Sequence, residues 1–343
     1  MKLDLPTCDD RPMWDLWLSV YRLPAVTVAD ELRLFDAIAA RPGDAAELAQ
    51  HTGCSERGLG ILLPFLVALG FLAQRDGCFH VTDTTRQFLL HDSPFYWGAL
   101  LARVGAGLPQ HTSLSDLLKG ADSEGSPFSG ARRPVKAWES GRLKPEMARN
   151  VAAFMHSHSL PAALGAARNA DFSSVTRLLD VGGGSGCFSI ALARRYPDLH
   201  CTVMDLPAMC EVAQEYIAAA GMEARVDTRG ADMFRDEWPH GYDAVFFSNV
   251  FHDWSFETCA ELAARAHGIL PKGGRICLHE MLLDDDGSGP LTAAAFSVAM
   301  LHGTHGQQFT FAQLRDLLAG AGYTGVTARA TYGYYSLVSG IRP

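Results

Sequence analysis

From Val175 onward the chain alternates between two textures. Apolar runs of strand length (VTRLLDV, HCTVMDL, YDAVFFSNV, GRICLHEML and a last pair near VTARATYGYYSLVSG) are separated by helical stretches such as SGCFSIALARRYP, PAMCEVAQEYIAAAG, ETCAELAARAHGILP and FAQLRDLLAGAGY. Strand and helix in alternation predict an α/β fold with a Rossmann-like, doubly wound parallel sheet. The first third reads differently. VADELRLFDAIAA places Leu32, Phe35 and Ile38 at helical spacing, and DAAELAQHTG and SERGLGILLPFLVALG each end at a glycine stop. FLAQRDGCFHVTD then alternates around Asp76-Gly77, a hairpin signal. Helices followed by a two-strand wing predict a winged helix. A length of 343 residues suits about two domains. The expected division is 1–105 for the winged-helix-like domain, 106–170 for connecting helices, and 171–343 for the sheet domain.

A winged helix that reads DNA needs arginine and lysine on its recognition helix. The candidate, 55–70, carries only Arg57 among mostly apolar residues, and the whole chain has a net charge of −9. Packing or dimerisation is therefore favoured there over DNA binding, and no nucleic-acid partner is expected. Hydrophobic residues at 48% and charged residues at 20% exclude a disordered chain. No apolar run reaches the roughly 18 residues of a membrane span, and MKLDLPTCDDRPMWDLWLSV has no signal-peptide core. Eight scattered cysteines without a CxxC pair make neither a zinc cage nor a disulfide scaffold. The expected setting is a soluble cytoplasmic protein with no membrane partner.

The run Leu178-Leu179-Asp180-Val181-Gly182-Gly183-Gly184-Ser185-Gly186 follows the first strand of the sheet half and opens a helix. Glycines there let the backbone turn tightly and approach a ligand. Asp205 closes the second strand about 25 residues later, where a carboxylate can bind both ribose hydroxyls. A dinucleotide would need GxGxxG with its pyrophosphate at the helix start. Asp180, just ahead of the glycines, would repel that group and suits a cationic amino-acid portion instead. Gly230-Ala231-Asp232-Met233-Phe234 offers a carboxylate for an adenine amine and an apolar face for its ring. The set points to S-adenosylmethionine (SAM).

With LLDVGGGSG, VMDLP, GADMF, SNVFHDW, LPKGGRICLHE and the C-terminal AGY in place, the chain resembles the class I SAM-dependent methyltransferases of the plant caffeate-type small-molecule family and their bacterial natural-product relatives, over essentially its whole length. The resemblance implies a small-molecule acceptor of secondary metabolism and a homodimer through the N-terminal domain. It implies that Gly182 and Gly184 cradle the methionine portion, Asp205 and Leu206 hold the ribose, and Asp232 and Met233 flank the adenine. Phe154 and Met155 would act as lid residues, and Asp180 and Ser248 complete the cofactor set. In O-methylating relatives the histidine matched by His252 in Phe251-His252-Asp253-Trp254 deprotonates the acceptor hydroxyl. Two glutamates orient it there; the first matches Glu280, and the second falls at about Gln308, a departure from the plant pattern.

The same loop, Met300 to Gln308, carries His302 and His305. His252, Asp253 and one of these would form the two-histidine, one-carboxylate set of open iron or zinc sites. If Met300 faces the substrate, residue 302 lies about 200° and residue 305 about 140° away, which favours His305. A branch of the family uses such a set, so the favoured expectation is one Fe or Zn ion on His252, Asp253 and His305, assisting C-methylation at the β-carbon of a 2-oxo acid. The competing expectation is O-methylation of a phenol or other hydroxyl with His252 as base. Trp97, Phe251, Met300 and Thr304 are the candidate acceptor contacts, and Arg132 and Arg133 the candidate carboxylate clamp. Asp284, Asp285 and Asp286 read as a solvated turn. From other classes, a SAM-binding regulator without catalysis conflicts with the intact His252, Asp253 and Glu280, and a DNA-binding regulator with the missing basic face.

Overall fold

The computed structural model describes residues 4–120 and 138–343. In chain order the elements are α1 Arg11–Leu18, α2 Arg22–Glu31, α3 Leu34–Ala40, α4 Ala45–Thr52, α5 Glu56–Ala68, β1 Leu72–Arg75, β2 Cys78–Val81, α6 Asp83–Phe88, α7 Gly98–Gly105 and α8 Pro109–Leu118. There follow α9 Pro145–Asn169, β3 Arg177–Val181, α10 Cys187–Arg195, β4 His200–Asp205, α11 Pro207–Ala220, β5 Val226–Gly230, β6 Ala244–Ser248, α12 Phe256–Ile269 and β7 Arg275–Met281. The chain closes with α13 Leu291–Gly303, α14 Phe311–Gly320, β8 Thr324–Tyr332 and β9 Tyr335–Ile341. Two compact units result. One comprises Pro12–Arg133 and Leu283–Thr310; the other comprises Met1–Arg11, Pro134–Leu282 and Phe311–Pro343.

In the helical unit the local signals act as expected. Asp44 accepts from the Glu47 amide while the Glu47 side chain returns to the Asp44 amide, a capping box that starts α4, and Gly53 at φ 73° stops it. Ser55 caps α5. Asp76 at φ 49° and Gly77 at φ 81° make the two-residue turn between the antiparallel strands β1 and β2. α5, the helix that would read DNA in a winged helix, is a core helix: Leu59, Ile61, Leu62, Leu63, Phe65 and Leu66 are buried. Its one basic residue, Arg57, donates to the carbonyls of Thr304 and Gly306. On α1, the turn after it and the start of α2, Met13, Leu16, Trp17, Val20 and Leu23 stay exposed at helical spacing, while Trp14 and Leu18 on the other side are buried.

The sheet unit is built on seven strands in the order β5-β4-β3-β6-β7-β9-β8. β3 to β7 run parallel, and β9 joins antiparallel to β7 and to β8. Leu178, Leu179, Val203, Val245, Phe246 and Leu278 are fully buried, which is why these strands read as apolar runs rather than as alternations. The compact units cut the chain elsewhere than at residue 170. α9 packs on α10 and α11 and so belongs with the sheet, whereas α13 packs on α5 and belongs with the helical unit. Among the described residues no helix is long and apolar enough to cross a membrane.

Candidate active site

β4 lies on one side of β3 and β6 on the other, so the connections leave β3 in opposite directions and a crevice opens past the carboxyl ends of these strands. The turn after β3 enters it. Gly182 and Gly184 have φ of 68° and 56°. A Cβ on Gly182 would stand 2.9 Å from Val250 Cγ2, and one on Gly183 2.7 Å from the Asp180 carboxyl carbon. Backbone can take this path only without side chains, and the space so kept is a cradle. At the end of β4, Asp205 Oδ2 accepts from the Gly184 amide at 3.0 Å and Oδ1 from the Leu206 amide at 2.7 Å. Asp180 Oδ2 accepts from Ser189 Oγ at 2.7 Å. Past β5, Asp232 Oδ1 accepts from the Phe234 amide and Oδ2 from Arg235, both at 2.9 Å.

One cavity within the sheet unit gathers Asp180, Gly182, Gly184, Asp205, Leu206, Asp232, Met233, Met155 and Ser248. Of the expected cofactor residues only Phe154 falls outside this lining. Successive helical positions diverge by about 100°, so where Met155 turns to the cavity Phe154 turns out, more than half exposed and edge-on to His158. Trp138 also lines the cavity, and His156 on α9 bonds Ser185 of the glycine turn at 2.9 Å while stacking on Tyr216. None of Trp138, His156 and His158 was legible as a site residue. The only signal for the histidines is their proximity to Met155 in FMHSHS, and it carries meaning only once α9 is known to lie over the turn.

After β6 the chain makes a sharp exit. Asn249 takes a left-handed conformation, φ 52°, and its amide donates to the His279 carbonyl at 3.2 Å. A 3-10 turn, Phe251–Asp253, follows. Glu280 on β7 is fully buried; its Oε1 accepts from the Val250 and Phe251 amides at 3.2 and 3.1 Å, and its Oε2 lies 3.2 Å from His252 Nδ1. The loop amides hold the carboxylate, and its second oxygen lies within ion-pair distance of the imidazole. With the proton on Nδ1, His252 Nε2 is the basic nitrogen. Asp253 Oδ1 stands 3.8 Å from that Nε2. Burial pushes the Asp253 carboxyl up to about 7, with Glu280 adding to the rise and His252 opposing it. His158 feels His252 as well: burial first, then that neighbour, lower its pKa to about 4, so it is neutral near pH 7.

The expected metal set finds no support. Among the described residues no group of three or more His, Cys, Asp or Glu side chains is placed to hold a metal ion. His252 Nδ1 lies against Glu280 Oε2. His302 turns Nδ1 back to the Val298 carbonyl one helical turn earlier, at 2.8 Å, and His305 is exposed. Phe251, expected to line an acceptor pocket, is fully buried edge-to-face against Phe247. Trp97 is exposed at the start of α7, Met300 is half-buried on α13, and Thr304 is buried at its end with Oγ1 donating to the Met300 carbonyl. Gln308 is buried and its amide donates to Ser297. Arg132 and Arg133 lie outside the described residues.

A sheet of this strand order, with a glycine turn after its first parallel strand and a carboxylate closing the second, defines a SAM-dependent methyltransferase of class I. An O-methyltransferase domain matches residues 113–324, and an O-methyltransferase dimerisation domain matches residues 14–91. A 3-hydroxy-5-methyl-1-naphthoate 3-O-methyltransferase of Streptomyces sahachiroi is 37% identical over 96% of this chain and 94% of its own. An L-tyrosine C(3)-methyltransferase of Streptomyces lavendulae is 29% identical over 87% and 82%. The crystal structure of an O-methyltransferase family 2 protein from Planctomyces limnophilus, in complex with apigenin, superposes with a TM-score of 0.88 at 27% identity, covering 99% of this chain and 98% of that one. The chain belongs to the O-methyltransferase family of SAM-dependent enzymes. The family match and the naphthoate O-methyltransferase relative give no support to the expectation of metal-assisted C-methylation of a 2-oxo acid.

Two carboxyls in the cavity give a pH dependence. Burial raises Asp180 to about 7 and Asp205 to about 6. Because these values lie above the unfolded-state value, ionising the groups costs stability, so the ligand-free protein loses stability as pH rises from about 4 to about 7. A cationic ligand favours the ionised forms. SAM affinity measured by calorimetry is expected to weaken several-fold between about pH 7.5 and about pH 5.5; a flat profile would contradict the assignment of both carboxyls to the cofactor cavity.

Proposed function

We propose that the protein methylates a hydroxyl of a small aromatic acceptor in secondary metabolism, with His252 as the general base. SAM brings a methyl group already activated on a sulfonium, which leaves the protein to position the reactants, exclude water and accept a proton. The observation that carries the reading is the Glu280 carboxylate, anchored on the Val250 and Phe251 amides and set against His252 Nδ1 at 3.2 Å. With its Nδ1 turned to Glu280 the imidazole would keep Nε2 as proton acceptor, and the nearby carboxylate would offset the charge of the imidazolium once the proton arrives. Glu280 thereby supplies an anion that Gln308, at the second position, cannot. Asp180, Gly182, Gly184, Asp205, Leu206, Asp232, Met233, Met155 and Ser248 would hold the cofactor. Trp97, Met300 and Thr304 remain candidates for the acceptor, and His158 joins them through its electrostatic contact with His252. The naphthoate-methylating relative makes a hydroxylated bicyclic aromatic acid the first acceptor to try.

Homodimer formation through the helical unit rests on the matched dimerisation domain and on the exposed row from Met13 to Leu23. The activity is tested by offering SAM with hydroxynaphthoates, simple phenols and their O-methylated analogues, with and without a chelator, and locating the new methyl by NMR. The expected product carries O–CH3, is absent from the blocked acceptors and forms equally with chelator. A C–CH3 or N–CH3 product would overturn the reading.

A further inference from the structure

Three hydrogen bonds in series connect the antiparallel edge of the sheet to the cavity. Thr331 Oγ1 on β8 donates to the Tyr335 carbonyl at 3.0 Å. A hydroxyl has one proton, so toward His279 Nε2, 2.9 Å away, Thr331 acts as acceptor. His279 then carries its proton on Nε2, and its Nδ1 is an acceptor. The partner of Nδ1 is Ser248 Oγ at 3.2 Å, which donates to it. The Ser248 proton therefore points into the sheet, and the side of the oxygen that faces the cavity offers lone pairs. The ring has little freedom to do otherwise. Fully buried, it lies parallel to Tyr335 at 5.0 Å and tilted on Phe188 at 4.9 Å, and burial lowers its pKa to about 3, so it stays neutral. Adjacent strand residues point to opposite faces, which lets β7 present Glu280 to the His252 loop and His279 to Ser248.

We propose that His279 is a positioning residue that makes Ser248 an obligate hydrogen-bond acceptor for the α-ammonium group of the cofactor. The inference rests on the cavity being the SAM site. Ser248 ends β6, and Val250 two residues on stands against Gly182, whose turn is the cradle for the methionine portion. The ammonium is the N–H donor of that portion. An acceptor-only oxygen attracts it and gives no hydrogen bond to the neighbouring carboxylate, so the amino-acid end is bound in one orientation.

The test is calorimetry with S-adenosylhomocysteine and with 5′-methylthioadenosine, which lacks the amino-acid portion. Ser248→Ala is expected to weaken S-adenosylhomocysteine about tenfold and leave 5′-methylthioadenosine unchanged. His279→Phe is expected to weaken S-adenosylhomocysteine several-fold, and to add nothing in the Ser248→Ala background, as for residues acting through one bond. His279→Asn, whose carboxamide oxygen can stand where Nδ1 stood, should restore most of the affinity. Equal losses for both ligands, or additive losses in the double variant, would overturn the proposal. If His279→Phe does not fold, the nitrogen-15 spectrum of the wild-type imidazole decides: a proton on Nε2 supports the relay and a proton on Nδ1 refutes it. Asp205→Ala separates this from the underlying reading. If that variant binds S-adenosylhomocysteine like wild type, the cavity is not the cofactor site; if it weakens while Ser248→Ala does not, this proposal alone falls.

Discussion

Replacing His252 with alanine is expected to lower kcat by about 10²–10⁴-fold, the usual worth of a positioned base, while the Kd for SAM moves less than about twofold. The separation follows from placement. His252 stands beside Glu280 in the segment after β6, whereas the carboxylates expected to hold the cofactor come from β3, β4 and the loop after β5. Glu280→Gln should be the milder change. The amide oxygen can still accept from the Val250 and Phe251 amides, but a neutral group does not stabilise the imidazolium. The measurement is single-turnover methyl transfer at saturating SAM, beside calorimetry for SAM. A His252→Ala enzyme with wild-type kcat would remove the histidine from the chemistry.

The second large effect falls on the cofactor. Asp205→Ala is expected to weaken SAM by about 10²-fold, the loss of charge-assisted hydrogen bonds in a site shielded from water, with kcat near wild type once SAM saturates. The change also removes the acceptor of the Gly184 amide, so part of the loss comes from a looser glycine turn. A companion measurement identifies the cause. Since burial raises Asp205 to about 6, the ligand-free Asp205→Asn variant should melt higher than wild type near pH 7.5, where wild type carries a buried charge, and the gain should vanish near pH 4. A variant that melts lower at both values would make Asp205 a structural residue first.

Much of the fold was readable because the determining signals are local. The capping box at Asp44, the Asp76-Gly77 turn and the glycine stops act within a few residues, and the apolar strands identify themselves by being buried on both faces. The residues that line the cavity were readable for a related reason. Asp180, Gly182, Gly184 and Asp205 sit at strand ends, and in a doubly wound sheet the strand ends converge. What sequence could not supply is side-chain direction. Phe154 and Met155 are neighbours in sequence, yet one faces water and the other the cavity. Phe251 has the residue type of a pocket wall and is buried against Phe247. The metal reading placed His305 by helical arithmetic from Met300, but α13 ends at Gly303 and the arithmetic does not continue past it.

The sequence by itself determined the sheet, the winged-helix unit, the glycine turn and the candidate base, since periodicity, caps and strand-end motifs are properties of short stretches of chain. Only the tertiary structure decided what each polar group is bonded to. It set Glu280 against His252 Nδ1 and ran Thr331, His279 and Ser248 into one line. These contacts join strands and loops far apart in sequence, and a hydrogen bond needs its partners within about 3 Å, a distance that only the folded chain defines.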